Sequence, residues 1–350
     1  MAGCDGPEEA WHPSEKGAGK WDRPAPGRLL PKREREGKGA AQLGHYTLSA
    51  ERPHLHGAFS RERPPVLTIQ PGDTVRFSTM ISSWQTGPDG PVLAPRDPEA
   101  DRGHALTGPV AIEGAKPHDM LAVRVEQVRP AAWGQSGAGG GPWGLNREMG
   151  LEGVPHLRMG WTLDENRRTA ANAFGHRVRV APFMGVMGMP DSVAGWQSTI
   201  PPRRTGGNID CRELVAGSTL YLPVGLPEGL FSVGDGHAAQ GDGEVGGVAI
   251  ECPMEQVDLT FSLEADPLLS TPYAATPAGW ITFGFDADLD QAAMAALDAM
   301  LALMVKQLDL HDRAHALALA TAVVDMRVTQ LVNQVRGVHA VLRQEAFALL

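Results

Sequence analysis

The sequence predicts a mainly β protein that ends in two α-helices. Three observations carry this. Glycine (42) and proline (28) are abundant among the 350 residues, so the chain turns often. Short runs rich in β-branched and aromatic residues recur between those turns. From residue 288 the apolar spacing changes from strand-like to helical.

In chain order, residues 1–42 are rich in Gly, Pro, Lys, Arg and Glu without apolar periodicity. They read as a disordered extension, with no role expected for Cys4 or His12. Ordered structure is expected from His45-Tyr-Thr-Leu48. Pro65-Val-Leu-Thr-Ile69 and Thr74-Val-Arg-Phe-Ser78, joined by Gln70-Pro-Gly-Asp73, give a strand–turn–strand signal. Residues 84–103 carry Pro88, Pro91, Pro95 and Pro98 and read as a long loop. Val110-Ala-Ile112 and the alternating Met120–Glu126 follow as strands. The glycine-rich stretch 133–150 is expected to be a linker or flap. Arg177–Val180 reads as a strand, and Pro182–Pro190 as buried and irregular, its methionines filling core. Ser218–Leu222 and Gln256–Ser262 are further strands. Met294, Leu297, Leu301, Met304 and Leu308 define a helix over 288–309, capped by Asp286 or Asp288. A second helix is expected from Asp312 to Val335, ended by Gly337. The parts are thus a 1–42 extension, a 43–132 β part, the 133–150 linker, a 151–285 β part with the functional cluster, and 286–350 with helices and a closing strand.

A net charge of −10 without a basic patch excludes nucleic acid and anionic membranes as expected partners. No apolar run is long enough to span a bilayer, and the first residues lack the apolar core of a signal peptide. Three cysteines, Cys4, Cys211 and Cys252, form neither a disulfide framework nor a zinc-ribbon spacing, so a cytoplasmic location is expected.

The chemistry concentrates in Phe231–Cys252, where Asp235, His237, Asp242, Glu244 and Glu251 alternate with glycines. Burying so many ionisable groups is costly unless they are paired or bind metal. In extended backbone Asp235 and His237 point to one face, as do Asp242 and Glu244. Together they offer ligands for Zn²⁺ or another divalent ion and a base for water. The competing reading makes Asp235 and Glu244 acceptors of backbone N–H groups in glycine turns, with His237 hydrogen-bonded in the core. Gly241-Asp-Gly-Glu-Val-Gly246 matches a dinucleotide fingerprint in letters only, because strand-like residues and a proline follow where a helix should open. Gly206-Gly-Asn208-Ile-Asp210 could present an amide and a carboxylate to a pocket, and His104 a second imidazole. Asp210 and His104 are accordingly candidate metal ligands beside Asp235 and His237. Glu244 or Asp242 is the candidate base, and Asn208 the candidate oxyanion donor. Cys211 and Cys252 would need an activating base to serve as nucleophiles.

Several blocks carry a family resemblance. Ser232-Val-Gly-Asp-Gly-His-Ala-Ala-Gln-Gly-Asp-Gly-Glu244 resembles the signature of the acetamidase/formamidase family. So do Gly206–Asp210 with Leu214–Val224, Gly103–Pro109 with Glu113–Pro117, and Val328–Val332 with Arg336–His339. They lie in the family's order over about residues 45–345. The resemblance implies a hydrolase of formamide, acetamide or similar short amides, releasing ammonia and a carboxylate. It implies a jelly-roll-like sandwich, a barrel-like β part and appended helices. It also implies a homo-oligomer, with a divalent metal at the acidic cluster in some members. Two departures stand out. Ile81 occupies the place of an expected Asp, and Met187-Gly-Met189 before Pro190 is unlike the usual pattern. They motivate two alternatives: another linear C–N bond as substrate, in a larger amide or urea-like compound, or a non-catalytic small-ligand-binding homologue.

Overall fold

The computed structural model describes residues 43–93, 97 and 101–347, so the expected extension over 1–42 lies outside the described residues. The architecture is three layers: a pair of helices, a nine-stranded sheet and an eleven-stranded sheet. The sheets stack on one another and are not closed into a barrel, which corrects the barrel-like expectation.

The nine-stranded sheet runs His45–Leu48, Thr74–Thr79, Met254–Glu264, Met120–Pro130, Thr219–Pro223, Tyr273–Thr276, Gly279–Asp286, Arg336–Arg343, Val324–Gln330. Its central strands are apolar on both faces because both are covered. Leu121, Val123 and Val125 enter the core between the sheets, whereas Met120 and Ala122 meet the helices. Leu220 and Leu222 against Tyr221 repeat the division one strand over. Between the sheets, Phe261 meets Phe231 of the other sheet edge-on at 5.0 Å.

The eleven-stranded sheet runs Arg177–Arg179, Thr169–Asn172, Leu157–Leu163, Trp133–Ala138, Ile250–Glu251, Phe231–Ala239, Phe183–Gly188, Gly206–Asn208, and Leu106–Ile112 also pairs with Phe231–Ala239. Two expectations change here. Residues 133–138, read as the start of a linker, form a strand paired on both sides. Phe183–Gly188, read as irregular, is a regular strand between Phe231–Ala239 and Gly206–Asn208. Glycines misled both readings: they let neighbouring backbone approach, as where Glu251 O lies 2.8 Å from the position a Cβ on Gly134 would take. The outermost strand, Arg177–Arg179, turns two exposed arginines outward around a half-buried Val178.

Helix α1, Leu289–Gln307, starts at Asp288, whose side chain accepts from Gln291 N at 2.9 Å. Its Ala292, Ala296, Met300, Leu303 and Met304 are buried on the sheet. Helix α2, Arg313–Val323, starts at Asp312 and is shorter than expected. The chain leaves it at Val324 and pairs Val324–Gln330 with Arg336–Arg343. Gly337, expected to end a helix, sits inside that last strand opposite Phe285. The β-branched, alternating Val324-Asp-Met-Arg-Val-Thr segment gains a ladder there that outweighs continued helix. No helix among the described residues is long and apolar enough to cross a membrane.

Candidate active site

The strand Phe231–Ala239 changes character along its length. Phe231 and Val233 belong to the core, and Asp235 and His237 continue the strand into a buried polar cluster. Asp210, Glu244 and Glu251 complete it. All five side chains are under 8% exposed. His237 is the cross-strand partner of Glu251, and Glu251 of Gln135, so the three share one row of the sheet. Asp210, Asp235 and Glu244 all adopt positive φ, at 55°, 55° and 45°. Non-glycine residues enter this region at a cost, and such strain gathers at functional sites.

Around His237, Asp235 Oδ1 lies 3.3 Å from Nε2, Asp210 Oδ1 lies 3.9 Å from Nδ1, and Gln240 Oε1 contacts Nδ1 at 2.9 Å. Asn333 donates to Asp210 Oδ2 at 2.5 Å, and the Gln240 amide donates to the Asp210 carbonyl at 2.8 Å. The Ser82 hydroxyl donates to Glu251. Burial and the neighbouring charges then set the protonation. Burial, and then Asp235 and Glu251, push Glu244 up to about 8. Burial and Asp235 push Glu251 up to about 7. Burial, and then Glu244, hold Asp210 well above the usual carboxylate range. Burial alone would lower His237, but Asp235 beside it raises it to about 9.

The cluster fits a divalent cation. Asp210 Oδ1 and Glu244 Oε2 are buried without a hydrogen-bond partner, and Asp235 Oδ1 and His237 Nε2 meet at 3.3 Å outside good hydrogen-bond geometry; such atoms are rare in native interiors. Asp210, His237 and Glu244 offer ligand atoms within 4.8 Å of one another, as do Asp235, His237 and Glu251. Gly185 leaves the space open: a Cβ there would lie 2.6 Å from both Asp210 Oδ1 and Asp235 Oδ2. One imidazole among carboxylates is a donor set for a divalent cation.

The other sequence candidates fall elsewhere. Asp242 is not in the cluster. It pairs with Arg327 at 2.6 Å, half exposed, because the turn after Gly241 aims it outward. The structure does not bring it together with Glu244. Asn208 is buried, with one amide N–H donated to Ile200 O at 3.1 Å and its Oδ1 without a hydrogen-bond partner. His104 lies in the cleft wall rather than in either ligand group. Its backbone N–H donates to Thr199 Oγ1 at 2.9 Å, and that hydroxyl contacts Nδ1 at 3.0 Å. That contact ties up Nδ1 and leaves Nε2 as the ring nitrogen free of it. Cys211 and Cys252 are free and buried, and burial followed by neighbouring carboxylates pushes both thiols up, so neither is activated. Glu251 was in view in the sequence but without a role. Its cross-strand pairing with His237 is the signal that places it.

Glu251, of the five cluster residues, lines a cleft of about 690 Å³ together with Ser82 and His104. Ile81, beside Ser82, is fully buried.

The sequence profile described as the Acetamidase/Formamidase family matches residues 45–196 and 191–342. A formamidase of Methylophilus methylotrophus is 28% identical over 241 residues, 55% of this chain and 59% of the relative. An acetamidase of Mycolicibacterium smegmatis is 26% identical over 323 residues, 71% and 78% of the two chains. The crystal structure of an acetamidase from Bacillus halodurans superposes with a TM-score of 0.75 at 26% identity, over 85% of this chain and 97% of that one.

Proposed function

Since the chain belongs to the acetamidase/formamidase family and is an amidase cleaving the C–N bond of short linear amides, we propose that it works with a divalent cation held by Asp210, Asp235, His237 and Glu244, and with Glu251 as proton carrier. The observation that carries this reading is the buried group of Asp210, Asp235, His237 and Glu244, whose ligand atoms lack well-formed hydrogen bonds, next to Glu251 in the cleft wall.

When bound, the cation supplies Lewis acidity toward the amide carbonyl or water. Glu251, held by the Ser82 hydroxyl and with a proton affinity near neutrality, takes the proton of the attacking water. It returns that proton to the nitrogen as the C–N bond breaks, leaving a carboxylate and ammonia. His104 Nε2–H donates toward the carbonyl oxygen, the role expected of Asn208. Asn208 Oδ1 accepts an N–H of the substrate amide.

The test is ammonia release from formamide and acetamide, before and after chelation and after adding back Zn²⁺. Turnover should fall on chelation and return with metal; unchanged rates in verified metal-free protein would remove the cation from the mechanism. His237→Ala should abolish metal retention. Glu251→Gln should keep the metal and lower kcat by about 10²–10⁴.

A cytoplasmic, homo-oligomeric protein is part of the same proposal. The free buried thiols support the first half, and the family resemblance supports the second. Light scattering after size-exclusion chromatography gives the assembly state.

A further inference from the structure

The cleft is far larger than formamide or acetamide requires. At about 690 Å³ it matches sites for drug-sized ligands, whereas acetamide has four heavy atoms. Ser82, His104 and Glu251 line it, and so do Gln135, Trp143 and Arg158.

Arg158 is the informative residue. Its Nε donates to Gln135 Oε1 at 2.8 Å, and its Nη2 to Gln85 Oε1 at 3.3 Å and to the Pro88 carbonyl. All three acceptors are neutral. Among the described residues no carboxylate lies within 4.0 Å of the guanidinium, although the chain carries a net charge of −10. Nη1 has no partner among them, so the fork is fixed in place with one end free. A guanidinium held this way binds a carboxylate well, because its geometry is set beforehand.

The sheet gives the spacing. Glu251 is opposite Gln135, and Arg158 is opposite Gly137 on the next strand, two residues along from Gln135. Glu251, Gln135 and Arg158 therefore share one face. Glu251 and Arg158 are two strand spacings apart across the sheet and two residues apart along it, roughly 12 Å between backbones, and the Arg158 side chain leans back over Gln135 toward Glu251. Hydrogen-bond contacts at each end leave a chain of about three to five bonds between the amide carbon and an anionic group. That separation also matters for the cluster, since a carboxylate placed next to Asp235 and Glu251 would be repelled.

Resting on the amidase reading, we propose that the preferred substrate is an aliphatic primary amide with a terminal carboxylate, a monoamide of a roughly four- to six-carbon dicarboxylic acid, with Arg158 holding the carboxylate. Trp143, which also lines the cleft, offers apolar surface to the methylenes.

The experiment compares kcat/KM for glutaric acid monoamide, for pentanamide as its uncharged match, and for acetamide, with the wild type, Arg158→Gln and Arg158→Lys. The wild type should favour the anionic amide over pentanamide by at least about tenfold. Arg158→Gln should collapse that ratio, mostly through KM, and Arg158→Lys should retain part of it. Glutarate should raise the melting temperature of the wild type more than that of Arg158→Gln, a readout independent of turnover. Acetamide hydrolysis by the wild type with a ratio at or below one, or a ratio that Arg158→Gln leaves unmoved, overturns the anionic-substrate proposal and leaves the amidase reading standing. No hydrolysis of any amide by metal-loaded protein overturns both.

Discussion

Gly185 matters because it has no side chain. It faces Asp210, Asp235 and His237, and a single methyl would stand 2.6 Å from two carboxylate oxygens. Gly185→Ala should leave the fold intact by circular dichroism, while metal content by elemental analysis and amide turnover both fall at least tenfold. Unchanged metal content would mean that the cavity beside Gly185 is not the cation site. At this scale the sequence was partly legible. Asp235, His237, Glu244 and Asp210 could be picked out because a folded interior tolerates a run of ionisable residues only where they are paired or bind an ion. Asp242 could not be separated from Glu244, since its partner Arg327 lies 85 residues away. Asn208 and His104 could be singled out as types, but their roles depend on which ring or amide atom is already engaged, by Ile200 and Thr199. Neither contact has a local signature.

At the scale of elements, the contact between α1 and the strand Gly279–Asp286 depends on close approach. Thr282 Oγ1 donates to Ala296 O at 2.7 Å, and Gly284 lies under Ala292. A Cβ on Gly284 would sit 2.0 Å from the Ala292 carbonyl oxygen, a backbone atom that cannot swing aside. Gly284→Ala should therefore destabilise the protein by about 1–3 kcal/mol or more, read as a lower urea midpoint. The helix α1 could be read within a residue or two, because Asp288 caps it and its apolar positions repeat. The next helix was overextended by about a dozen residues, with boundaries the weakest part of any such reading. Alternation in Val324–Gln330 competes with helical spacing in the same letters, and only the partner strand Arg336–Arg343 decides. Strands interrupted by glycines, such as Trp133–Ala138 and Gly206–Asn208, carried little propensity signal.

For the whole molecule, the mainly β class and the C-terminal helices followed from composition and periodicity. The stacking of two large sheets did not, because strands adjacent in space come from distant parts of the chain: Met254–Glu264 lies between Thr74–Thr79 and Met120–Pro130. Such long-range ties make acid stability a property of the whole. His56, buried and bonded to Ala58 O and Ser232 Oγ, is lowered by burial from 6.5 to about 3. The folded state then binds fewer protons than the unfolded chain below 6.5, so this stability is complete above that pH and is lost on descent toward 3. Glu213 acts in the same direction at lower pH. Burial would raise it, but His339 and Arg327 outweigh burial and hold it at about 2 against an ordinary 4.5. Its stability is present above 4.5 and lost as pH falls through 2. Together they are worth on the order of several kcal/mol. Urea midpoints should fall steeply between about pH 6.5 and 3, and His56→Gln should remove the upper part of that fall.

The outermost strand Arg177–Arg179 has a consequence for the protein as a solute. Any sheet that ends in solvent offers its last row of N–H and C=O groups to whatever strand drifts by, including the same strand of another molecule. Here that row is flanked by Arg177 and Arg179, both exposed. Two copies approaching edge to edge would bring four like charges together before a single ladder bond could form. Sheet growth across molecules is thus opposed at its first step, and the opposition weakens as salt shortens the reach of those charges. Concentrated stocks of the protein should accordingly keep best at low ionic strength.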